Sequence, residues 1–335
     1  MKRIRYILML AFCFVAMSAV ALGQLMQEVF SYTPGQLTSL NTGANVSNGN
    51  WVSFSGTGNA ILVSSGALTY SGYTPSGLGN KIDIISVGTS AEDAYRQFPA
   101  QGVGTTTYAS FLVNVANVTG LSLNSSTTAD YFAGFTTSNS TSAFVARVSI
   151  RLGSTGTVFQ LGLRASTTNA AAKFVSGDLN TATTYLVVIS YQSVAGNTND
   201  IVKMWVNPSL AGAEPTSDIT DTTATTTDNI DVARFFVRQG TTTTPNASLG
   251  GLRVSSSWAG VRSGLVDDVR FRVNMAVKWA ETKFNPTAGD TVRVVGSFNG
   301  WSATDTTVRM TRNSANDSIW VLNRALDSSA VKDDT

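Results

Sequence analysis

Apolar residues alternate with polar ones along most of this chain of 335 residues, and that period of two limits what it can fold into more than any motif does. In "FVARVSIRL", Phe144, Ala146, Val148, Ile150 and Leu152 fall on one face of an extended strand, with Arg147, Ser149 and Arg151 on the other. "VFQLGLRAS" repeats the pattern, with Phe159, Leu161, Leu163 and Ala165 inward and Gln160 and Arg164 outward. "TYLVVISYQ", "IVKMWVN", "RFFVRQG" and "GLRVSSS" are further β-rich runs, each bounded by Gly, Asn, Pro or Ser/Thr clusters. Short alternating strands separated by turn signals predict an all-β fold, an antiparallel jelly-roll sandwich. Disorder is excluded: 43% of the residues are hydrophobic, and they recur at regular spacing.

The chain opens on Met1-Lys2-Arg3-Ile4-Arg5, followed by an apolar run from Tyr6 to Ala21 that ends in small residues. Residues 1–23 read as a secretory signal peptide cut before Gln24, with no stop-transfer pattern behind it and no membrane span expected in the mature chain. The expected location is extracellular or at the cell surface. Lys2, Arg3 and Arg5 leave with the leader, so of 23 basic residues 20 remain against 21 acidic ones, a net charge of −1. No basic stripe is left to neutralise phosphates, which argues against a nucleic-acid partner.

Cys13 is the only cysteine and lies in the leader, so disulfides are excluded from the mature chain. There is no histidine at all. Its absence removes His-based general base catalysis, Ser-His-Asp and Cys-His nucleophiles and nearly every zinc site. No cofactor is expected. The one metal reading is calcium, a hard cation suited to oxygen ligands, in the low-complexity stretch 216–229 through Asp218, Asp221 and Asp228. The alternative for that Thr-rich stretch is a long exposed loop.

A boundary falls near "AGVRSGLVDD", after which Phe271, Val273, Met275 and Val277 begin a new alternating run. The expected division is a β-sandwich over 24–262, a linker over 263–268 and a smaller β-sandwich over 269–335. The second one lacks a final apolar strand, as if its sequence continued beyond residue 335.

Three stretches of the first domain carry a resemblance. They are "QEVFSYTPGQL" with "NWVSFSGTG" and "GALTYSGY", then "TYASFLVNVANV" with "DYFAGFTTS", and last "LGGLRVSSSWAGV". Residues 27–261 resemble the concanavalin-A-like, laminin-G-like domains of secreted Bacteroidota-type proteins. That resemblance implies a two-sheet jelly roll whose relatives include lectins, adhesive modules and glucanases. The Glu-x-Asp-x-x-Glu strand that presents a glucanase's carboxylate pair about 5–5.5 Å apart is missing. The glutamates are Glu28, Glu92, Glu214 and Glu281, in no such spacing. Asp130, Asp178 and Asp200 are the only aspartates near the predicted strands that leave an Asp-only pair formally open. The residues present read as non-catalytic.

The stretch "FRVNMAVKWAETKFNPTAGDTVRVVGSFNGW" resembles the start of the early-set immunoglobulin-like domains that include glycogen- and starch-binding modules. In sugar-binding members the Trp of this corner stacks on glucose, and Trp301 matches it. Asn299 and Ser302 are the polar neighbours that would reach hydroxyls. "DSIWVLNRAL" matches the following core strand, with Trp320 at an apolar position. Turn chemistry offers a second account of the same corner. Asn299-Gly300 suits a two-residue hairpin turn, with Phe298 and Trp301 pairing across it. Trp51, Trp205 and Trp258 are expected to be core or strand residues. The resulting reading is a secreted carbohydrate-binding or adhesive protein whose partner is a polysaccharide or cell-surface glycan. Two alternatives stay open at this point: a scaffold without a small ligand, and the non-catalytic N-terminal part of a larger carbohydrate-active enzyme.

Overall fold

A computed structural model describes residues 23–40, 45–56, 58–85, 91–123, 130–166, 171–222, 228–229, 231–240, 245–262, 266–296, 301–312 and 318–327. Apart from Gly23, the expected signal peptide lies outside them. The first strands are β1 Gln24–Glu28, β2 Gly35–Gln36, β3 Trp51–Ser55, β4 Leu62–Ser64, β5 Lys81–Ile84, β6 Asp93–Gly102 and β7 Thr106–Asn117. There follow β8 Asp130–Thr136, β9 Val145–Leu152, β10 Val158–Arg164, β11 Lys173–Phe174, β12 Leu179–Asn180, β13 Thr184–Gln192 and β14 Ile201–Val206. Then come β15 Ile219–Asp221, β16 Asp231–Arg238, β17 Asn246–Ser255 and the short helix α1 Trp258–Arg262. The remaining elements are β18 Val266–Asn274, helix α2 Ala276–Ala280, β19 Thr311–Arg312 and β20 Ile319–Asp327. No described helix is long and apolar enough to cross a membrane.

Two compact units divide at Leu265/Val266. In the larger, one sheet runs β15-β14-β13-β7-β17-β5-β4-β2, with β1 also on β17, and the other runs β11-β10-β9-β8-β16-β6-β3, with β12 on β10. All pairings of these named strands are antiparallel, for example Val187 opposite Phe111 and Leu161 opposite Ile150. The fold is thus the all-β antiparallel sandwich that the period-two pattern predicts. Inward residues of both sheets form one apolar core, including Phe111, Val187 and Ile189 from the first and Phe159, Leu161 and Phe235 from the second.

The first sheet is also covered on its outer face. Leu112, Leu186, Val188 and Trp205 pack there against Tyr73 and against Trp258 and Val261 of α1. That explains why β13 reads as a continuous apolar run rather than an alternating one: a strand buried on both faces has no polar side to show. Trp51, Trp205 and Trp258 are all buried, as expected of core residues.

The fold corrects several sequence expectations. Ile219–Asp221 forms β15 inside the Thr-rich stretch, and it pairs with β14. Ile219 and Asp221 are buried, so this part of 216–229 is not an exposed loop. Val266, Asp267 and Asp268, placed in the linker by sequence, are the first residues of β18. The alternation begun by Phe271 and Val273 stops at Asn274: Met275 precedes α2, and Val277 lies in that helix with its side chain exposed. Among the described residues the smaller unit has one sheet, β18-β20-β19, rather than two. Its core joins Phe284, Met310 and Trp320, with Phe284 set edge-on to the Trp320 indole at 5.5 Å between centroids.

Two buried carboxylates hold the ends of strands in the larger unit. Glu28, at the end of β1, accepts hydrogen bonds from the Phe30 amide (2.6 Å), the Tyr32 hydroxyl (2.7 Å) and the Trp51 indole N–H (3.0 Å), and it pairs with Arg96. Asp200 accepts from the Tyr191 hydroxyl and from the Val194 amide (2.7 Å), closing the turn between β13 and β14. Burial raises the Asp200 carboxyl above its ordinary value of 3.8. Its effect on stability is therefore most favourable below that unfolded value and declines as pH rises through the elevated folded one. Asp200→Asn removes the decline. The melting temperature of this variant should rise relative to wild type between acid and neutral pH, and a constant difference across that range would refute the assignment.

Candidate functional site

In the smaller unit, Val292–Val294 and Val308–Met310 run alongside each other, joined by the Met310 amide to Val292 O (2.8 Å) and the Val294 amide to Val308 O (3.1 Å). Between them the chain leaves the ladder and returns through Trp301. The Trp301 amide donates to Gly296 O at 2.9 Å, so the segment 296–301 is closed by its two ends. The two-residue turn expected at Asn299-Gly300 lies outside the described residues, but Trp301, which follows it, is not in a strand. Trp301 instead takes φ 58°, the left-handed region that a bulky side chain rarely enters. Phe298, Asn299 and Gly300 lie outside the described residues.

The returning limb is held by its own polar groups. Arg293 Nη1 donates to Ala303 O (2.6 Å), and Asp305 accepts from the Thr307 amide (2.9 Å) at the start of the turn 306–308. Ser302 is half-buried, with its hydroxyl 3.2 Å from that of Thr304. Trp301 points away from all of this. At 70% exposure it is the most exposed large hydrophobic residue described, whereas Trp320 of the same unit is 8% exposed. Of the three residues that sequence singles out, the structure places Trp301 and Ser302 side by side.

The aspartates named for calcium or for catalysis hold separate places. Asp218 accepts from the Val206 amide, Asp221 is paired with Lys173 and Asp228 accepts from the Asn199 amide. Asp178 caps the turn between β9 and β10 through Ser154, whose hydroxyl and amide hold its carboxyl below the ordinary value. Among the described residues no three acidic groups come together. Of Asp130 only the backbone, at the start of β8, is described.

Sequence reasoning missed a second cluster, on the outer face of the second sheet. Arg147 of β9 stands opposite Arg164 of β10, and Ser149 stands opposite both Gly162 of β10 and Tyr131 of β8. The Tyr131 ring lies between two guanidinium groups, Arg147 at 4.7 Å and Arg238 of β16 at 4.5 Å from its centroid. Arg234 stacks on Tyr95 at 4.4 Å, and Phe144, Phe236 and Tyr131 pack together beside them. Alternation predicted Arg147, Ser149 and Arg164 as solvent-facing, but exposures of 4%, 0% and 7% make them buried. It also placed Phe144 in the inter-sheet core. Ala146, at φ 47°, breaks the extended backbone there, and Phe144 ends against Phe236 at 4.6 Å instead. The signal available in the sequence was Arg-x-Ser-x-Arg within one strand, which fixes a face but does not say that its side chains are buried.

No family model and no curated protein matches the chain. Solved structures do resemble it in fold. An endo-β-1,4-glucuronan lyase from the fungus Trichoderma reesei aligns at 10% identity over 71% of this chain and 98% of its own, with a TM-score of 0.39. An alginate lyase in complex with alginate trisaccharide aligns at 14% identity over 70% and 99%, with a TM-score of 0.41. Domain 4 of an extracellular arabinanase from Geobacillus stearothermophilus, in complex with arabinotriose, aligns at 11% identity over 72% and 100%, with a TM-score of 0.34. Likeness at this level is one of fold and carries nothing about ligand.

Proposed function

We propose that the protein is a secreted, non-catalytic carbohydrate-binding or adhesive protein, with Trp301 as its stacking platform. The observation that carries the reading is an indole at 70% exposure on a backbone in the left-handed region. Such a conformation costs about 1–2 kcal/mol for a residue with a side chain. Burial of the ring does not offset that cost, since the ring faces water. A stacking face offered to a ligand gives the arrangement a purpose, because apolar C–H faces of a sugar lie over an indole while its hydroxyls meet polar neighbours such as Ser302. Binding on this reading needs no metal and no cofactor.

The test is retention of the whole chain on immobilised amylose and on a mixed-glycan array. Trp301→Ala should abolish retention and leave the melting temperature within about a degree, since an exposed ring contributes little to stability. Equal retention by variant and wild type sinks the proposal. So does a large fall in melting temperature with no binding by either form, which would make Trp301 a structural residue.

A further inference from the structure

Arg147 and Arg164 are more than nine-tenths buried and face each other in register across β9 and β10. Like charges directly opposite repel, and a buried charge without a counter-ion is costly. Their surroundings add to the positive charge, with Arg238 near enough to act on Arg147 and Arg234 on the same face. The described carboxylate closest in role is Asp93, which sits 3.7 Å from Arg238 and also accepts from the Gln239 amide. Burial first, and then Arg164, pushes the Arg147 guanidinium down to about 10. It is still charged at neutral pH.

Hydrogen bonding is unfinished as well. Arg147 Nη2 donates to Ser166 O, but Arg147 Nε, Arg164 Nε and Ser149 Oγ are buried with no hydrogen-bond partner among the described residues. Three unspent buried groups on neighbouring positions of one sheet face, two of them cationic, form an anion receptor.

We propose that this face is a second binding site, which takes the carboxylate of a uronic acid residue in an acidic polysaccharide between Arg147 and Arg164. A guanidinium fork matches a carboxylate in bidentate geometry. Without its expected leader the chain carries slightly more acidic than basic residues, which argues against a row of phosphates as the ligand. Ser149 supplies a hydroxyl for the ring hydroxyls of the sugar, and the half-buried Tyr95 and Tyr131 rings flank the site. This site lies in the larger unit and does not depend on Trp301.

Affinity electrophoresis of the full chain through gels containing polygalacturonate tests the proposal. Retardation is expected, weakening as salt is raised. Arg147→Gln and Arg164→Gln should each weaken it by about ten- to a hundredfold. Arg147→Lys should recover only part of the loss, since an ammonium lacks the fork. Trp301→Ala should bind polygalacturonate as wild type does, which separates this site from the first. A ligand-side arm covers the case in which the variants do not fold: fully methyl-esterified polygalacturonate, with its carboxylates masked, should not retard the wild-type chain. Equal retardation by the esterified polymer overturns the proposal, as does unchanged binding by a folded double variant. Retardation by dextran sulfate, polyglutamate or DNA without retardation by polygalacturonate assigns the pair to another anion and overturns the uronate assignment.

Discussion

Phe235→Ala should lower the unfolding free energy by about 3–5 kcal/mol, read as a fall in the denaturation midpoint at unchanged slope. Phe235 comes from β16 and is 1% exposed. Its ring meets Phe111 of the facing sheet at 5.6 Å and Phe135 of its own sheet at 6.1 Å between centroids, both edge-on. Truncation removes the transfer energy of the ring and leaves a cavity lined by two aromatic groups that cannot collapse into it without moving both sheets. Phe235→Leu refills much of the space and should cost clearly less. A loss below about 1 kcal/mol for the alanine variant would show that the sheets close over the gap, against the rigid packing assumed here.

Glu28→Ala should cost about 3–5 kcal/mol by a different route. The carboxylate is 4% exposed and is the shared acceptor for a backbone amide, a phenol, an indole and a guanidinium. Its removal leaves Trp51 Nε1–H and the Phe30 amide buried without a partner and Arg96 without a counter-charge. Glu28→Gln keeps the shape and some acceptor capacity, so it should lose less than the alanine variant. The measurement is the denaturation midpoint of both variants against wild type. Indistinguishable alanine and glutamine losses would mean that the negative charge beside Arg96, and not the shape or the remaining acceptor, accounts for the effect.

The strand-level architecture was legible from the sequence because a half-buried strand writes its burial into alternate residues. β9 and β10 were readable in this way. β13 was readable as a strand but not as one covered twice, since α1 and Trp258, which do the covering, are remote in sequence. β15 was hidden because two of its three residues, Thr220 and Asp221, are polar, and Asp221 is buried with Lys173 beside it. The same limit concealed the arginine face. Single-strand alternation marks Arg147 and Arg164 as facing away from the core, but their opposition and burial arise from register between strands and from the aromatic and arginine side chains of neighbouring strands. At the other candidate site the sequence singled out Trp301 and left its orientation open between two arguments. Its exposure and its backbone dihedral are set by the chain around it, which residue type does not encode for tryptophan.

The pairing of β1 with β17 joins Gln24 to Ser255, the two ends of the larger unit, and β17 also holds β7 and β5. A nascent chain that has emerged only to β16 therefore offers β1 no strand to pair with. Assembly of this unit is gated by arrival of its last strand, and the entropy of closing so long a loop is spent before the contacts reward it. The sandwich should form slowly and late, with its first strand as the final piece to dock.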